Sequence, residues 1–580
     1  MPSNKIKDYR FFLSVLLIIT LSLTFYLTFF KRKSQNIILI TIDALRADHL
    51  GCYGYKRPTT PNIDKLSKEG TLFLQAIAPS TDTFHSISAI MTSSYSHYYG
   101  ERRYDSLINP STQTLAEILS NHGYSTASFS NGYPISMING INRGFEIFTV
   151  NGDIGADKLT DTLLKWLESN NKRKFFVWAH YFDTHSSYSP PKPYNTLYIA
   201  DRFNNHDKNL PIDSKDNTWM SRNVIPYNVA ENGITNVDYY ISQYDGEIRF
   251  VDEQISLLLH KLKEIGLDKN TVVIITADHG ESLGEHDIYF QHGGIPYDSL
   301  LLVPLIFKCD NLIPKGIKIE QQVSSVDIFP TILDILKIRY RSDIGGKSFL
   351  DLMQDKTKSH TNRAFSNSQS PIYSMRTEKW KLISLDNSRE YYLFDLENDK
   401  AELNNIKDVR KEEFNIFSKE LNEWIEKNRY MVYPENKSSL DKEALEKLKS
   451  LGYLQGGEDA ADKRIARPFS KLMDTYNGPT VTVSGEVIFD SYKDGTISIF
   501  ARTEDRARPP DIAILTIPKP GKYILKVPKD FGNIYIGAIN TKKGLEPEPD
   551  DLRDEYVNNP VKIGSSDIDK VDIVIKNRKN

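Results

Sequence analysis

Two stretches far apart in the chain each close a run of β-branched and aliphatic residues on an acid. They are Asn36-Ile37-Ile38-Leu39-Ile40-Thr41-Ile42-Asp43 and Thr271-Val272-Val273-Ile274-Ile275-Thr276-Ala277-Asp278-His279-Gly280. Two carboxylates and an imidazole are hard and borderline donors for a divalent cation. Brought together without one, the carboxylates would repel each other. Asp43, Asp278 and His279 are therefore candidate metal ligands, and magnesium, calcium, manganese and zinc all suit the set. Either aspartate could instead cap a following helix, as Asp after a strand often does.

What must position them is a sheet. Short apolar runs of this kind read as buried parallel strands, and in open α/β sheets ligand sites lie beyond the carboxyl ends. From Asn36 to about Ile338, β-rich runs alternate with helical patterns, the signature of an α/β fold. Further strands are expected at 125–130, 175–180, 271–276 and 303–307. Between them, 252–265 carries Ile255, Leu258, Leu259, Leu262 and Ile265 on one helical face, a core stripe. A small α+β subdomain is expected over 363–429, with strands at 380–383 and 391–396 and a helix at 412–427. A helix at 442–451 and a linker at 455–462 follow. Beyond them, alternating runs at 481–489, 496–501, 511–517, 522–527, 533–539 and 571–575, with turns such as Asp494-Gly495 and Pro520-Gly521, indicate a β-sandwich of the prealbumin or carbohydrate-binding-like type. An acidic run there (Glu546, Glu548, Asp550, Asp551, Asp554, Glu555) lacks the spacing of a calcium loop and reads as solvated.

At 580 residues the chain exceeds one ordinary core. A net charge of −3 gives no electrostatic argument for nucleic acid, and two cysteines exclude a disulfide scaffold. Residues 11–30, FFLSVLLIITLSLTFYLTFF, are uncharged and long enough to cross a bilayer of ~30 Å. The expectation is a single-pass membrane anchor with the catalytic body extracytoplasmic. The expected domains are an anchor (1–33), a catalytic domain (34–455), a linker (456–470) and the sandwich (471–580).

Several motifs then point one way: Leu50-Gly51-Cys52-Tyr53-Gly54, Pro58-Thr59-Thr60-Pro61-Asn62-Ile63-Asp64, His180-Tyr181-Phe182-Asp183-Thr184-His185, Thr276-Ala277-Asp278-His279-Gly280-Glu281, Val326-Asp327-Ile328-Phe329-Pro330-Thr331 and Tyr392-Leu393-Phe394-Asp395-Leu396-Glu397-Asn398-Asp399. In this order, from about Asn36 to Leu454, they resemble the sulfatase family of the alkaline phosphatase superfamily. The resemblance implies a mixed sheet sandwiched by helices and a divalent metal ion serving ester hydrolysis. It also implies a nucleophile motif C/S-x-P-x-R at a helix start, ending in T-G. Counting back from Thr92-Ser93 places the nucleophile on Thr83, where helix N–H groups favour an anion.

The chain departs from that pattern. Thr83 is neither Cys nor Ser, so the family's aldehyde cannot form. The motif's Pro and Arg positions are His85 and Ile87, and the Arg that often precedes Val-Pro is Leu302. The threonine version resembles the phosphodiesterases, phosphonate hydrolases and phospho-group transferases of the superfamily, which form a phospho-threonine. By the same resemblance His185 and His292 contact the substrate's oxygens or the leaving group. His180 reads as a hydrogen-bonded core residue, Asp245 and Asp252 as structural, Ser130-Asn131 as pocket lining, and His286 stays open. The expected function is metal-dependent hydrolysis of a phosphate or sulfate ester, the substrate anionic and glycan- or lipid-linked. A transferase and a degenerate binding scaffold are the alternatives.

Overall fold

The computed structural model describes residues 35–95, 108, 111–152, 154–199, 208–214, 221–341, 344–355, 359–360, 363–368, 372–385, 390–429, 480–488, 496–502, 511–517, 519–528, 532–541, 552–555, 561–563, 566 and 568–574. They fall into two compact units, the first ending at residue 429 and the second beginning at residue 480.

The first unit is built on β1 (Asn36–Ile42), β2 (Thr71–Ile77), β3 (Ser125–Ser130), β4 (Ile147–Val150), β5 (Phe175–Tyr181), β6 (Thr271–Ala277), β7 (Ser282–Leu283), β8 (Tyr289–Gln291), β9 (Leu302–Lys308), β10 (Ile317–Ile319) and β11 (Val323–Ser324). All but β7 and β8 form one sheet in the order β10-β2-β9-β6-β1-β5-β3-β4, with β11 also on β2. β1 lies near its middle, parallel to β5 on one side and to β6 on the other. Every residue of β1, β5 and β6 is buried, which is why their sequences run apolar without alternation. Truncating one of these isoleucines to Ala would cost about 2–5 kcal/mol. β9 runs antiparallel to both β2 and β6, so the sheet is mixed.

Register delivers the site. Ile42 pairs with Tyr181 on one side and Ala277 on the other, so Asp43 and Asp278 leave adjacent strands at the same level. Thr41 pairs with His180. The helix Thr83–Thr92 begins at that end of the sheet.

The long helix is Val237–Glu264, 28 residues, of which the sequence pattern marked only the second half. Its first half buries Gln243, Asp245, Gly246 and Glu247, which interrupt the apolar stripe. Asp245 tolerates burial because it is paired: Arg57 reaches one oxygen at 2.8 Å, Tyr55 donates to the same oxygen at 2.7 Å, and His49 meets the other at 2.7 Å. Asp252 caps the helix Pro61–Lys68, accepting from Ile63 N at 2.8 Å. Both are structural residues.

The sheet Ala364–Asn367, Tyr373–Arg376, Trp380–Leu385, Glu390–Asp395 and the helix Lys411–Arg429 complete this unit. The second unit holds two sheets, one centred on Thr480–Ile488 and one on Thr496–Arg502 and Gly532–Thr541. Val483, Leu525 and Ile573 from the first share one core with Ile499, Ile536 and Ala538 from the second. Of the acidic run, 552–555 form a strand; its other residues, like the helix at 442–451 and the linker, lie outside the described residues.

One expectation is corrected. A single-pass membrane protein with an extracytoplasmic body was expected, yet among the described residues no helix is long and apolar enough to cross a membrane. The helix Val237–Glu264 has the length but carries Asp238, Asp245, Glu247 and Asp252. The apolar segment 11–30, which carried the expectation, lies outside the described residues.

Candidate active site

Asp43 leaves β1 with its N–H bonded to Tyr181 O at 2.8 Å and its carbonyl accepting from the Thr184 hydroxyl. Ala44 then takes a positive φ of 52°, a conformation that costs a non-glycine residue energy and recurs at functional sites. The turn sends Ala44 N–H to Asp278 Oδ1 at 3.2 Å, which also accepts from His279 N at 2.9 Å. One oxygen of Asp278 is thus occupied by backbone. The other, Oδ2, is buried with no hydrogen-bond partner among the described residues, and so is Asp43 Oδ1.

His279 completes this corner. Its Nδ1 lies 2.8 Å from Gly280 O, a group that can only accept, so Nδ1 carries a proton and Nε2 is the nitrogen a cation would take. Nε2 is 3.7 Å from Asp43 Oδ1 and 3.6 Å from Asp278 Oδ2. Burial pushes the Asp278 carboxyl up to about 6, helped by the Asp43 charge, and burial also raises Asp43. Two orphaned buried oxygens, on carboxyls that both resist ionisation, beside the imidazole nitrogen turned toward them form a donor set that fits a divalent cation.

Thr83 opens the helix Thr83–Thr92 behind the cap Asp82, whose side chain accepts from His85 N. The Thr83 hydroxyl donates to Asp43 Oδ2 at 3.1 Å and lies 3.3 Å from His279 Nε2. Its loop is pinned from outside: Gly293 N donates to Thr81 O at 2.7 Å, and the Thr81 hydroxyl to Gly294 O at 3.2 Å. His85 turns back onto Asp82, with Nδ1 2.8 Å from both carboxylate oxygens. Burial opposes the Asp82 charge, but His85 wins and holds that carboxyl down at about 2.

His292 and His185 stand beside this group. The His292 ring lies 4.5 Å from that of His279 and 4.7 Å from that of His185. Burial pushes His185 down to about 4 and His292 to about 3, so both are neutral at pH 7. His185 is held by Ser186 O on Nδ1 and by stacking on Phe182. His292 Nδ1 faces the buried Glu281 carboxylate at 3.3 Å, and Tyr188 donates to that carboxylate at 3.1 Å. Burial pushes Glu281 up to about 7. Glu281 and Tyr188 were missed in the sequence; the signal available for Glu281 was its place two residues after His279 in a buried run.

Other expectations resolve as well. His286 stacks on Tyr297 at 3.6 Å. Asn131 spends its side-chain amide on Phe182 N, Asp183 and Ile154 O, and so supports the loop carrying His185. His180 is buried with Nε2 3.3 Å from Asp43 Oδ2, and its ligand-capable atom lies within 4.8 Å of those of Asp43 and Asp278.

Residues 35–338, just over half of the chain, match the family model described as Sulfatase. The chain belongs to the sulfatase family. A second model, N-sulphoglucosamine sulphohydrolase, C-terminal, matches residues 284–430. Among sulfatase relatives, an N-acetylglucosamine-6-O-sulfatase of Bacteroides thetaiotaomicron is 24% identical over 69% of this chain and 87% of that protein. An arylsulfatase of Clostridium perfringens is 24% identical over 65% of this chain and 91% of that protein. A phosphonate monoester hydrolase of Agrobacterium radiobacter shares the fold at 18% identity with a TM-score of 0.56, over 70% of this chain and 98% of that one. This sulfatase-family chain is an ester hydrolase with the mixed α/β fold of its relatives.

Proposed function

We propose that the protein hydrolyses anionic phosphate or phosphonate esters in two steps, with Thr83 as the nucleophile. The observation that carries this is the Thr83 hydroxyl at a helix N-terminus, 3.1 Å from Asp43 Oδ2 and 3.3 Å from His279 Nε2. Asp43, Asp278 and His279 would hold a divalent cation, its identity open. Such an ion supplies positive charge against the ester's oxygens and favours ionisation of a nearby hydroxyl.

The chain's own residues do the rest. The Thr83 proton goes to Asp43 Oδ2, which already accepts it as a hydrogen bond. Thr83 Oγ forms a bond to phosphorus and the bond to the leaving oxygen breaks. An aryl group departs as phenolate and needs no proton. For an alkyl group, the charge of the bound anion raises the neutral imidazoles of His185 and His292 toward protonation, and one of them gives its proton to the departing oxygen. Water then attacks phosphorus and gives a proton to one of the neutral imidazoles, the Thr83–phosphorus bond breaks, and Thr83 Oγ takes back the proton held on Asp43 Oδ2.

The residue type at position 83 favours phosphorus over sulfur. A threonine ester has no second hydroxyl through which sulfate could be expelled, so a sulfo-threonine clears only by fresh attack on sulfur. Sulfate ester hydrolysis is the second reading, favoured by the relatives' names. The test is turnover of an aryl phosphate monoester, an aryl phosphate diester, a phosphonate ester and an aryl sulfate, each divalent metal added in turn. The expected result is ~10²-fold preference for a phosphorus ester, about 2.7 kcal/mol of barrier. Equal or better turnover of the aryl sulfate would establish the second reading.

A further inference from the structure

By distance alone His180 could be another ligand to the ion, since its Nε2 lies 3.3 Å from Asp43 Oδ2 and points into the same buried corner. The protons around His180 rule this out. An indole N–H can only donate, and Trp178 Nε1 donates to Thr41 Oγ1 at 2.9 Å. The same oxygen meets His180 Nδ1 at 2.8 Å. Among the described residues these are the two side-chain partners of the Thr41 hydroxyl, and one of them cannot accept. The hydroxyl proton therefore goes to His180 Nδ1, because a buried donor left without an acceptor is unfavourable.

The neutral ring carries one proton. With Nδ1 accepting from Thr41, that proton sits on Nε2, directed at Asp43. His279 is the mirror case: its Nδ1 faces a carbonyl and keeps its proton, so Nε2 is the nitrogen left for a metal. A bare nitrogen can bind a metal and a protonated one cannot.

We infer that His180 is a positioning residue, the last donor of a Trp178–Thr41–His180 relay that holds Asp43 Oδ2, and not a ligand. This rests on the metal reading above. At 3.3 Å the contact is longer than a good hydrogen bond, and Nε2 makes no other hydrogen bond among the described residues. Closing on Asp43 is what satisfies it. Asp43 Oδ2 then has two donors, Thr83 and His180, which leaves Oδ1, 3.7 Å from His279 Nε2, for the cation. The register explains the relay: Thr41 and His180 are direct partners on β1 and β5, and Trp178 lies two residues before His180, on the same face.

The test uses the full chain, stripped with chelator and reloaded with zinc as the probe. Zinc affinity is measured by competition with a chromophoric chelator, and X-ray absorption counts the imidazoles on the ion. The wild type is expected to show one imidazole. His180→Ala should keep that one and bind zinc ~10–100-fold more weakly. His180→Gln, which retains a donor, should recover part of the loss. Thr41→Val, nearly isosteric and so a guard against misfolding, should weaken binding with the count still one. Two imidazoles in the wild type falling to one in His180→Ala would overturn the inference, as would unchanged zinc affinity in both His180→Ala and Thr41→Val. A wild type that binds no zinc or other divalent ion would instead sink the metal reading itself.

Discussion

The hydroxyl of Thr83 and the carboxylate of Asp43, 40 residues apart in sequence, meet at 3.1 Å in the buried corner where β1 ends and a helix begins. Neither element alone could make that contact. Asp43 is fixed by the central strand, and Thr83 by a helix whose N-cap, Asp82, is tied to His85 and Ser80.

Removing that hydroxyl should therefore separate chemistry from binding. Thr83→Ala is expected to lower kcat at least ~10³-fold, about 4 kcal/mol, while metal content stays near the wild-type level because three other donors remain. Wild-type turnover by Thr83→Ala would mean that water attacks the ester directly.

Metal affinity should depend on pH in a defined direction. In the metal-free site burial holds Asp278 up at about 6, and Asp43 is raised by the same cause. Below that pH the carboxyl keeps its proton and a cation must displace it. Affinity should thus rise as pH goes from 5 to 7, by up to about tenfold per unit for each proton displaced. The check is zinc or manganese titration by calorimetry in buffers of different ionisation enthalpy, which counts the protons released. A flat profile with no proton release would contradict the assignment of these carboxylates.

Strand ends were the legible part of this site. Asp43, Asp278 and His279 come at the ends of buried runs of β-branched and aliphatic residues, and central parallel strands leave that mark because both faces are buried. Thr83, His185 and His292 were reached only through family motifs, since nothing in their local pattern announces a site. Glu281 and Tyr188 escaped because their role depends on a contact spanning 93 residues. The short strands Ile147–Val150, Ile317–Ile319 and Val323–Ser324 were missed for a related reason: they lie at or near the sheet's β4 and β10 ends and carry too few residues for a period to register. The first half of the helix Val237–Glu264 was hidden by buried polar residues whose partners lie far off in sequence.

Asp245 tests that last point. It is fully buried with Arg57, His49 and Tyr55 around it, so Asp245→Ala strands a buried guanidinium. The expected loss is about 3–5 kcal/mol of stability, read as a lower midpoint in urea unfolding. Because Asp245 is structural, the activity of the molecules that remain folded should change little. A large drop in kcat at unchanged stability would place Asp245 in the chemistry instead.

His292 should act on the substrate side. Its Nδ1 is engaged by Glu281, and its ring lies 4.7 Å from that of His185 and 4.5 Å from that of His279. His292→Ala is expected to lower kcat/KM by ~10²-fold, about 2.7 kcal/mol, with zinc affinity within a few-fold of wild type. Steady-state kinetics and the chelator competition together decide it. Loss of zinc binding in step with activity would make His292 a ligand.

The most direct measurement is a trap for the covalent intermediate. Enzyme mixed with an aryl phosphate would be quenched in acid within the first turnovers, digested, and the peptide containing Thr83 examined by mass spectrometry. The two-step account predicts a phosphoryl group on Thr83, absent from Thr83→Ala, appearing before steady-state release of phosphate. Rapid product formation with that peptide unmodified at every quench time would contradict it.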